Sequence, residues 1–185
     1  MYSNTKFFLI LLFLFIPFKT LASIKNNIIQ NLKEINNISF NFEQNINGKI
    51  ENGKCTIEYP KKINCKYDLE NNKILVSNSR SLVIKTSNSY YIYPIEKTPL
   101  NIILNKNFLL NKIDKLDGRE GGDKFINFNF FENENEINIF FDKNTYNLIG
   151  WQTLDIYQNL SITYLNSITK NQKLKKNLFK LPSQN

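Results

Sequence analysis

The sequence predicts a mainly β domain of the α+β class: an incomplete antiparallel β-barrel of about ten strands with helices against its concave face. Short runs of alternating apolar and polar residues follow one another in hairpin order, separated by Asn, Gly, Asp and Lys. This order favours an antiparallel sheet. Only two segments have the spacing of an amphipathic helix, which is too few to cover both faces of a sheet.

An amphipathic helix is expected first, over residues 24–35. Its apolar side chains recur every three or four residues: Ile24, Ile28, Leu32 and Ile35. From Ser39 the period changes to two, which places Phe40 and Phe42 on one face of a strand over residues 39–50. The change of period marks a helix that leads into a sheet.

The remaining strands follow from the same alternation. They are predicted over residues 54–59, 63–67, 73–77, 81–86, 90–93, 125–131, 136–141, 148–155 and 161–169. One helical insertion interrupts them, because Thr98 is a suitable N-cap and Pro99 fits a first helical turn. The apolar face of this insertion is formed by Leu100, Ile103 and Leu104.

The first residues have the pattern of an export signal. Lys6 precedes an apolar run over residues 7–18, and the small residues Ala22 and Ser23 follow it. A helix needs about 20 apolar residues to cross a bilayer, so this run is short for a membrane span. We therefore expect a secretory signal peptide over residues 1–22, cleaved near Ala22, and a single domain over residues 23–185. An uncleaved anchor is the alternative.

The composition excludes most catalytic chemistry. The 185 residues include no His and two Cys, so histidine-dependent nucleophiles and the common zinc sites are ruled out. The carboxylates that could act instead lie in expected turns: Asp114, Asp117, Glu120, Asp123, Glu132, Glu134 and Glu136. Their spacing does not match a calcium loop, so solvated turns are favoured over a cation site. We expect no enzymatic activity, no metal and no cofactor.

The net charge of +8 does not by itself indicate a nucleic-acid partner. Only Arg80 and Arg119 are arginines among the 24 basic residues, and the lysines are scattered. Nucleic-acid-binding proteins concentrate basic residues in patches or stripes, so we expect no nucleic-acid binding.

Cys55 and Cys65 lie at equal distances from Pro60, the expected centre of a hairpin turn. Residues opposite each other in a hairpin are close enough for a disulfide, and an exported protein meets an oxidising compartment. A structural disulfide is therefore favoured, with two buried free thiols as the alternative. A redox-active pair is disfavoured, because the C-x-x-C spacing is absent.

Several segments place apolar residues on both faces of a strand, such as Phe130-Phe131 and Phe140-Phe141. Such strands need cover on both faces. Two interpretations stay open: an ordinary core beneath the helices, or a cavity lined by Phe, Ile and Leu that binds an apolar ligand.

In chain order, these motifs resemble the periplasmic outer-membrane lipoprotein carrier family (LolA). The matching segments are the first helix leading into Phe40-x-Phe42-x-Gln44; the hairpin from Gly53 through Tyr59-Pro60-x-x-Ile63-x-Cys65-x-Tyr67; Ile74-Leu75-Val76-Ser77 with Ser81-Leu82; Thr98-Pro99-Leu100; and Phe179-x-Leu181-Pro182. The order and spacing of these motifs carry the resemblance, which covers nearly the whole mature chain.

The resemblance implies an incomplete antiparallel barrel with a helical lid over an apolar cavity. It implies a periplasmic carrier that shields the acyl chains of lipoproteins and moves them from the inner to the outer membrane. The implied partners are acylated lipoproteins, an inner-membrane ABC lipoprotein-releasing complex and an outer-membrane lipoprotein receptor, and we expect a monomer. The expected cavity and lid residues, with strand positions assigned by inward alternation, are Phe40, Phe42, Ile57, Tyr59, Ile63, Leu100, Ile103, Leu104 and Phe140.

The chain departs from the family pattern at Tyr59 and Cys65. Members of the family usually carry an Arg before the hairpin Pro, which tethers the closed lid, and a Trp where Cys65 stands. A Tyr donates one hydrogen bond but offers no charged fork. Either the lid is held in another way, or the ligand differs from the usual one. The alternative function is an exported lipid-sensing or lipid-binding module that does not ferry lipoproteins; a carboxylate-based hydrolase is disfavoured.

Overall fold

The computed structural model describes residues 21–69, 71–132, 135–155 and 157–184. The predicted signal peptide lies almost wholly outside this part of the chain, since residues 1–20 do not belong to it. Within the described residues, 11 strands form one antiparallel sheet, accompanied by three α-helices. The predicted mainly β class, an incomplete barrel with a helical part, is confirmed.

The helices are α1 (Leu21–Glu34), α2 (Leu100–Ile103) and α3 (Lys106–Lys115), with a short 3-10 turn over Ile95–Lys97. The strands are β1 (Asn37–Ile46), β2 (Lys49–Glu58), β3 (Lys62–Tyr67), β4 (Ile74–Asn78), β5 (Ser81–Lys85), β6 (Tyr90–Pro94), β7 (Arg119–Gly121), β8 (Phe125–Glu132), β9 (Asn135–Asp142), β10 (Leu148–Leu154) and β11 (Leu160–Lys170). Hydrogen-bonded neighbours follow the order β6-β5-β4-β3-β2-β1-β11-β10-β9-β8-β7. The sheet ends at β6 and β7, so the barrel is not closed.

The first hairpin turn lies earlier than the alternation predicts. Residues 39–50 were expected to form one strand, but β1 ends at Ile46 and β2 begins at Lys49. Asn47 and Gly48 between them have positive φ, 50° and 88°. An Asn-Gly pair adopts such angles readily, which is why it forms tight hairpin turns.

The helical insertion differs from the single helix predicted to start at Thr98. The Thr98 hydroxyl donates to the carbonyl of Ile95 at 2.8 Å and does not cap a helix. α3 has its own cap instead, because the Asn105 side chain accepts a hydrogen bond from the N–H of Phe108 at 3.2 Å. The short β7 contains Glu120, which was expected to lie in a turn, so this strand was not predicted.

The helices cover only one part of the concave face. The predicted apolar stripe of α1 is buried in the core: Ile24, Ile28, Leu32 and Ile35. α1 lies against α3, where the Lys25 ammonium donates to the carbonyls of Asp114 and Leu116 at the end of α3. α3 faces β8, as the contact between the rings of Phe108 and Phe130 shows. Beside this packed region a cavity remains on the concave face, and Leu100 of the short α2 lines it from the helical side.

The convex face of β3 to β6 is covered by the chain that follows β11. Asn64 donates to the carbonyl of Leu178, Lys85 to that of Ser183, and Tyr90 to that of Pro182. Val76 and Val83 are buried on this convex face. Because the chain that follows β11 covers the convex face, β4 and β5 can carry apolar residues on both of their faces.

Candidate functional site

A cavity of about 340 Å³ lies between the concave face of the sheet and the start of α2. Its walls come from β1 to β6, β10 and β11, and Thr98, Pro99 and Leu100 contribute from the helical insertion. Pockets for small ligands usually measure roughly 300–1,000 Å³, so this one lies at the lower end of that range.

The apolar part of the cavity follows from strand register. Residues directly opposite one another on adjacent strands point to the same face of a sheet. One such row crosses from β6 to β2, each residue paired with the next: Tyr91, Ile84, Leu75, Cys65 and Cys55. Leu82 and Ile63 lie in the neighbouring row and also line the cavity. Leu100 closes this part from the helical insertion over residues 98–104, here called the lid.

Cys55 and Cys65 form a disulfide within this row, with their Cα atoms 4.1 Å apart. They are directly opposite each other on β2 and β3, as the position of Pro60 between them predicts. The bond therefore ties together two strands that form the apolar wall.

The other part of the cavity, here called the polar end, is formed by Gln44, Glu51, Tyr67, Lys73, Ser161 and Thr163. Register again brings them together, because Gln44 on β1 is opposite both Glu51 on β2 and Thr163 on β11. The amide of Gln44 donates to the hydroxyls of Ser161 at 3.0 Å and Thr163 at 3.2 Å.

Charge in the polar end is paired. Glu51 is 6% exposed, and its carboxylate contacts the ammonium groups of Lys73 at 2.5 Å and Lys49 at 3.2 Å. The Lys73 ammonium also lies 4.1 Å from the centre of the Tyr67 ring. Burial, and then the charge of Glu51, raise the pKa of Tyr67. Its hydroxyl therefore stays protonated and donates to Gln44 Oε1 at 3.3 Å.

The lid is attached to the β2–β3 turn by a main-chain hydrogen bond. The resemblance implies an Arg for this purpose at the position of Tyr59. The N–H of Lys61 in this turn donates to the carbonyl of Leu104 at the end of α2, at 2.9 Å. The Lys61 ammonium also contacts Glu96 at 3.5 Å, but Glu96 is largely exposed, so this ion pair adds little. Ser77 and Ser79 hold the turn in place by donating to the carbonyls of Lys61 and Pro60.

Tyr59 belongs to the core and does not line the cavity. Its side chain packs against the core cluster, and the Lys106 ammonium lies 5.9 Å from the centre of its ring. The hydroxyl is buried and has no hydrogen-bond partner among the described residues. Burial raises the pKa of this Tyr59 hydroxyl.

The other predicted site residues divide into three groups. Phe42, Ile63 and Leu100 line the cavity, and their role as ligand contacts stays a prediction. Four others are buried in the core behind the cavity wall: Phe40, Ile57, Ile103 and Leu104. Because these four do not line the cavity, substitutions there would act on folding first.

Phe140 is placed on the convex face, contrary to the prediction that it lines the cavity. Its neighbours Ile139 and Phe141 are fully buried on the concave side, whereas the Phe140 ring packs against Phe125 at 5.5 Å and Tyr164 at 6.3 Å between ring centres. Two consecutive Phe residues do not reveal which one points inward, and a one-residue error in register exchanges the faces.

The polar end was not predicted as a site, although its pattern is visible in the sequence. Gln44 interrupts the apolar face that Phe40 and Phe42 begin on β1. Ser161 and Thr163 are two positions apart on β11, so both side chains lie on the same face of that strand. What the sequence does not reveal is that these two strands pair with each other.

The described residues contain no group of three His, Cys, Asp or Glu side chains that could hold a metal ion. No described helix is both long and apolar enough to cross a membrane.

Comparison with known proteins identifies one family. The sequence model of the family described as "Outer membrane lipoprotein carrier protein LolA" matches residues 33–182. No curated protein sequence matches the chain significantly.

Solved structures that match the chain come from several bacteria. An uncharacterized conserved protein from Thermus thermophilus has a TM-score of 0.53 at 7% identity, covering 89% of this chain and 96% of that one. The MucA/MucB complex of Pseudomonas aeruginosa has a TM-score of 0.50 at 9% identity, covering 88% and 61%. A LolA superfamily protein from Nitrosomonas europaea has a TM-score of 0.40 at 7% identity, covering 85% and 97%. At such low identities the first two likenesses show the fold alone.

Proposed function

The chain belongs to the outer membrane lipoprotein carrier family, and on this premise we propose that it is a periplasmic carrier that shields the acyl chains of lipoproteins. The proposed donor is an inner-membrane ABC lipoprotein-releasing complex, and the proposed acceptor is an outer-membrane lipoprotein receptor. Export through the signal peptide predicted over residues 1–22 belongs to the same proposal.

The apolar part of the cavity is the observation that carries this proposal. Leu75, Leu82 and Ile84 form one continuous wall, and Leu100 faces them from the lid. Each methylene group that leaves water for such a surface contributes about 0.8 kcal/mol. About ten methylene groups of one acyl chain would therefore contribute roughly 8 kcal/mol, before the entropic cost of binding is subtracted.

The size of the cavity has a consequence for release. Three fully buried acyl chains would exceed the practical affinity limit of about −20 kcal/mol, and a carrier must also let its cargo go. A cavity of about 340 Å³ shelters only part of such a cargo unless it widens. Widening is compatible with an open sheet, whereas α2 is held by the buried side chains of Ile103 and Leu104 and by the hydrogen bond from the Lys61 N–H to the Leu104 carbonyl.

Release from membranes tests the proposal. Inner-membrane vesicles that contain an acylated lipoprotein and the releasing complex would be incubated with ATP and the purified protein lacking residues 1–22. We expect the lipoprotein to appear in the supernatant as a soluble one-to-one complex with the protein. A lipoprotein that stays in the vesicle pellet at saturating protein would contradict the carrier function.

A lipid-binding module that does not ferry lipoproteins is the second candidate. The small cavity volume favours it, because a site of about 340 Å³ suits a single-chain lipid better than a triacylated one. The same vesicle experiment separates the two. A module would take up a free single-chain lipid in a parallel binding assay and would leave the lipoprotein in the membrane.

A further inference from the structure

We propose that the polar end of the cavity is a subsite for an uncharged acylglycerol head, with ester carbonyl and hydroxyl oxygens, while the acyl chain lies along the apolar wall. This inference rests on the proposed function in lipid carriage and adds the chemistry of the ligand's head. It is carried by three features of the polar end: buried hydroxyl donors, paired charges and continuity with the apolar wall.

The hydroxyl donors come from β11. Ser161 and Thr163 are each 3% exposed, and both oxygens accept hydrogen bonds from the Gln44 amide. Among the described residues, neither hydroxyl donates to another group, so each keeps one hydrogen to offer. A buried donor without an acceptor is unfavourable, and a ligand oxygen placed there would satisfy it. The complementary ligand is therefore one that brings oxygen acceptors into the cavity.

The charges decide between a neutral and an anionic head. Glu51 is the buried carboxylate of the polar end, and the ammonium group of Lys73 is already in contact with it. Glu51 lies opposite Gln44 in the same row as Thr163, and the ammonium group of Lys49 contacts the same carboxylate. Asp155 also lines the cavity, so two ammonium groups and two carboxylates balance and leave no net positive charge to attract an anionic head. An ester carbonyl can accept hydrogen bonds from Ser161 and Thr163 without needing such a charge.

The position of the polar end fits an amphiphile. Phe42 and Trp151 line the cavity next to Gln44 and Thr163, and the apolar wall of Leu75 and Ile84 continues from the Phe42 side. A ligand whose ester oxygens reach Ser161 and Thr163 would thus have its chain directed toward the lid. An entirely apolar ligand in the same position would place its end beside the hydroxyls of Ser161 and Thr163 without accepting hydrogen bonds from them, which is unfavourable.

Two probes with the same acyl chain test this proposal: 1-palmitoylglycerol and palmitate. Each would displace a fluorescent apolar dye from the purified protein lacking residues 1–22, at a pH where palmitate is ionised. We expect 1-palmitoylglycerol to bind about tenfold more tightly, as two hydrogen bonds of ordinary strength would produce. The double variant S161A/T163V should lose this preference, and the matched variant Thr169→Val, on the same strand but outside the cavity, should keep it.

The outcomes separate this proposal from the carrier function. Equal binding of both probes, unchanged in S161A/T163V, would overturn the head subsite and leave acyl-chain binding intact. Tighter binding of palmitate would overturn it in favour of an anionic head. Displacement by neither probe would contradict lipid binding itself, and the subsite with it. If the double variant does not fold, Ser161→Ala alone is expected to lose about threefold of the affinity for 1-palmitoylglycerol, against no loss for palmitate.

Discussion

Filling the cavity should block acyl-chain binding without disturbing the fold, and Ile84→Trp is the substitution that does so most directly. Ile84 is half-buried on β5, and its side chain lines the apolar wall opposite Tyr91 and Leu75. A larger side chain at this position extends into empty space and does not displace core atoms. The overpacking that destabilises a filled core is therefore avoided.

The size of the effect follows from the space that the indole takes. Tryptophan has about six more non-hydrogen atoms than isoleucine, and each methylene group excluded from the cavity forfeits about 0.8 kcal/mol. Displacing only three methylenes weakens binding by about 2.4 kcal/mol, which is about fifty-fold in the dissociation constant. The cavity of about 340 Å³ is small enough for one indole to have this effect.

The assay is displacement of a fluorescent fatty acid, with urea unfolding measured on the same samples. Ile92→Trp is the matched control, because Ile92 lies on the neighbouring strand β6 with its side chain 55% exposed. We expect Ile92→Trp to bind as the wild type does and Ile84→Trp to bind about fifty-fold more weakly. An Ile84→Trp protein that folds normally and binds with unchanged affinity would refute the reasoning, because the acyl chain would then lie elsewhere.

Three further predictions concern the disulfide, the core and the lid. Reducing the Cys55–Cys65 bond, which has a sequence separation of 10, should lower the free energy of unfolding by about 2.7 kcal/mol in urea; identical unfolding curves with and without reductant would contradict this. Tyr59→Phe should raise the free energy of unfolding by about 1 kcal/mol, because it removes a buried hydroxyl without a partner among the described residues. Burial raises the pKa of Tyr59, so the native state keeps this hydroxyl neutral at a pH where the unfolded chain already ionises. The free energy of unfolding of the wild type should therefore be unaffected below pH ~10 and fall as the pH rises further, and this fall should be smaller in Tyr59→Phe. An equal or steeper fall in the variant would contradict this. Leu100→Asp should weaken fatty-acid binding at least about tenfold by placing a charge against the chain, and full binding by this variant would remove Leu100 from the lid.

The sequence predicts those parts of the fold that depend on local pattern. The stripe of α1, the alternation along β1 and the pairing of Cys55 with Cys65 are each set by residues close in the chain. The position of the first turn could have been predicted in the same way, since Asn47-Gly48 is a strong local signal for a tight hairpin.

The candidate site depends on long-range pairing that a local pattern does not contain. The polar end exists because β1 pairs with β11, which brings Ser161 and Thr163 beside Gln44 across more than half of the chain. The lid attachment is likewise invisible in the sequence, because the Lys61 N–H and the Leu104 carbonyl are main-chain groups that every ordinary residue carries. Phe140 shows the same limit within one strand, where only the observed register fixes the face.

Photo-crosslinking measures most directly whether the cavity holds acyl chains. The purified protein would be loaded with a lipoprotein whose acyl chain carries a photoreactive group, irradiated and digested for mass spectrometry. We predict labels on the cavity wall, at Leu75, Ile84 and Leu100. Labels confined to the exposed aromatic residues of the convex face, such as Tyr164, would contradict it.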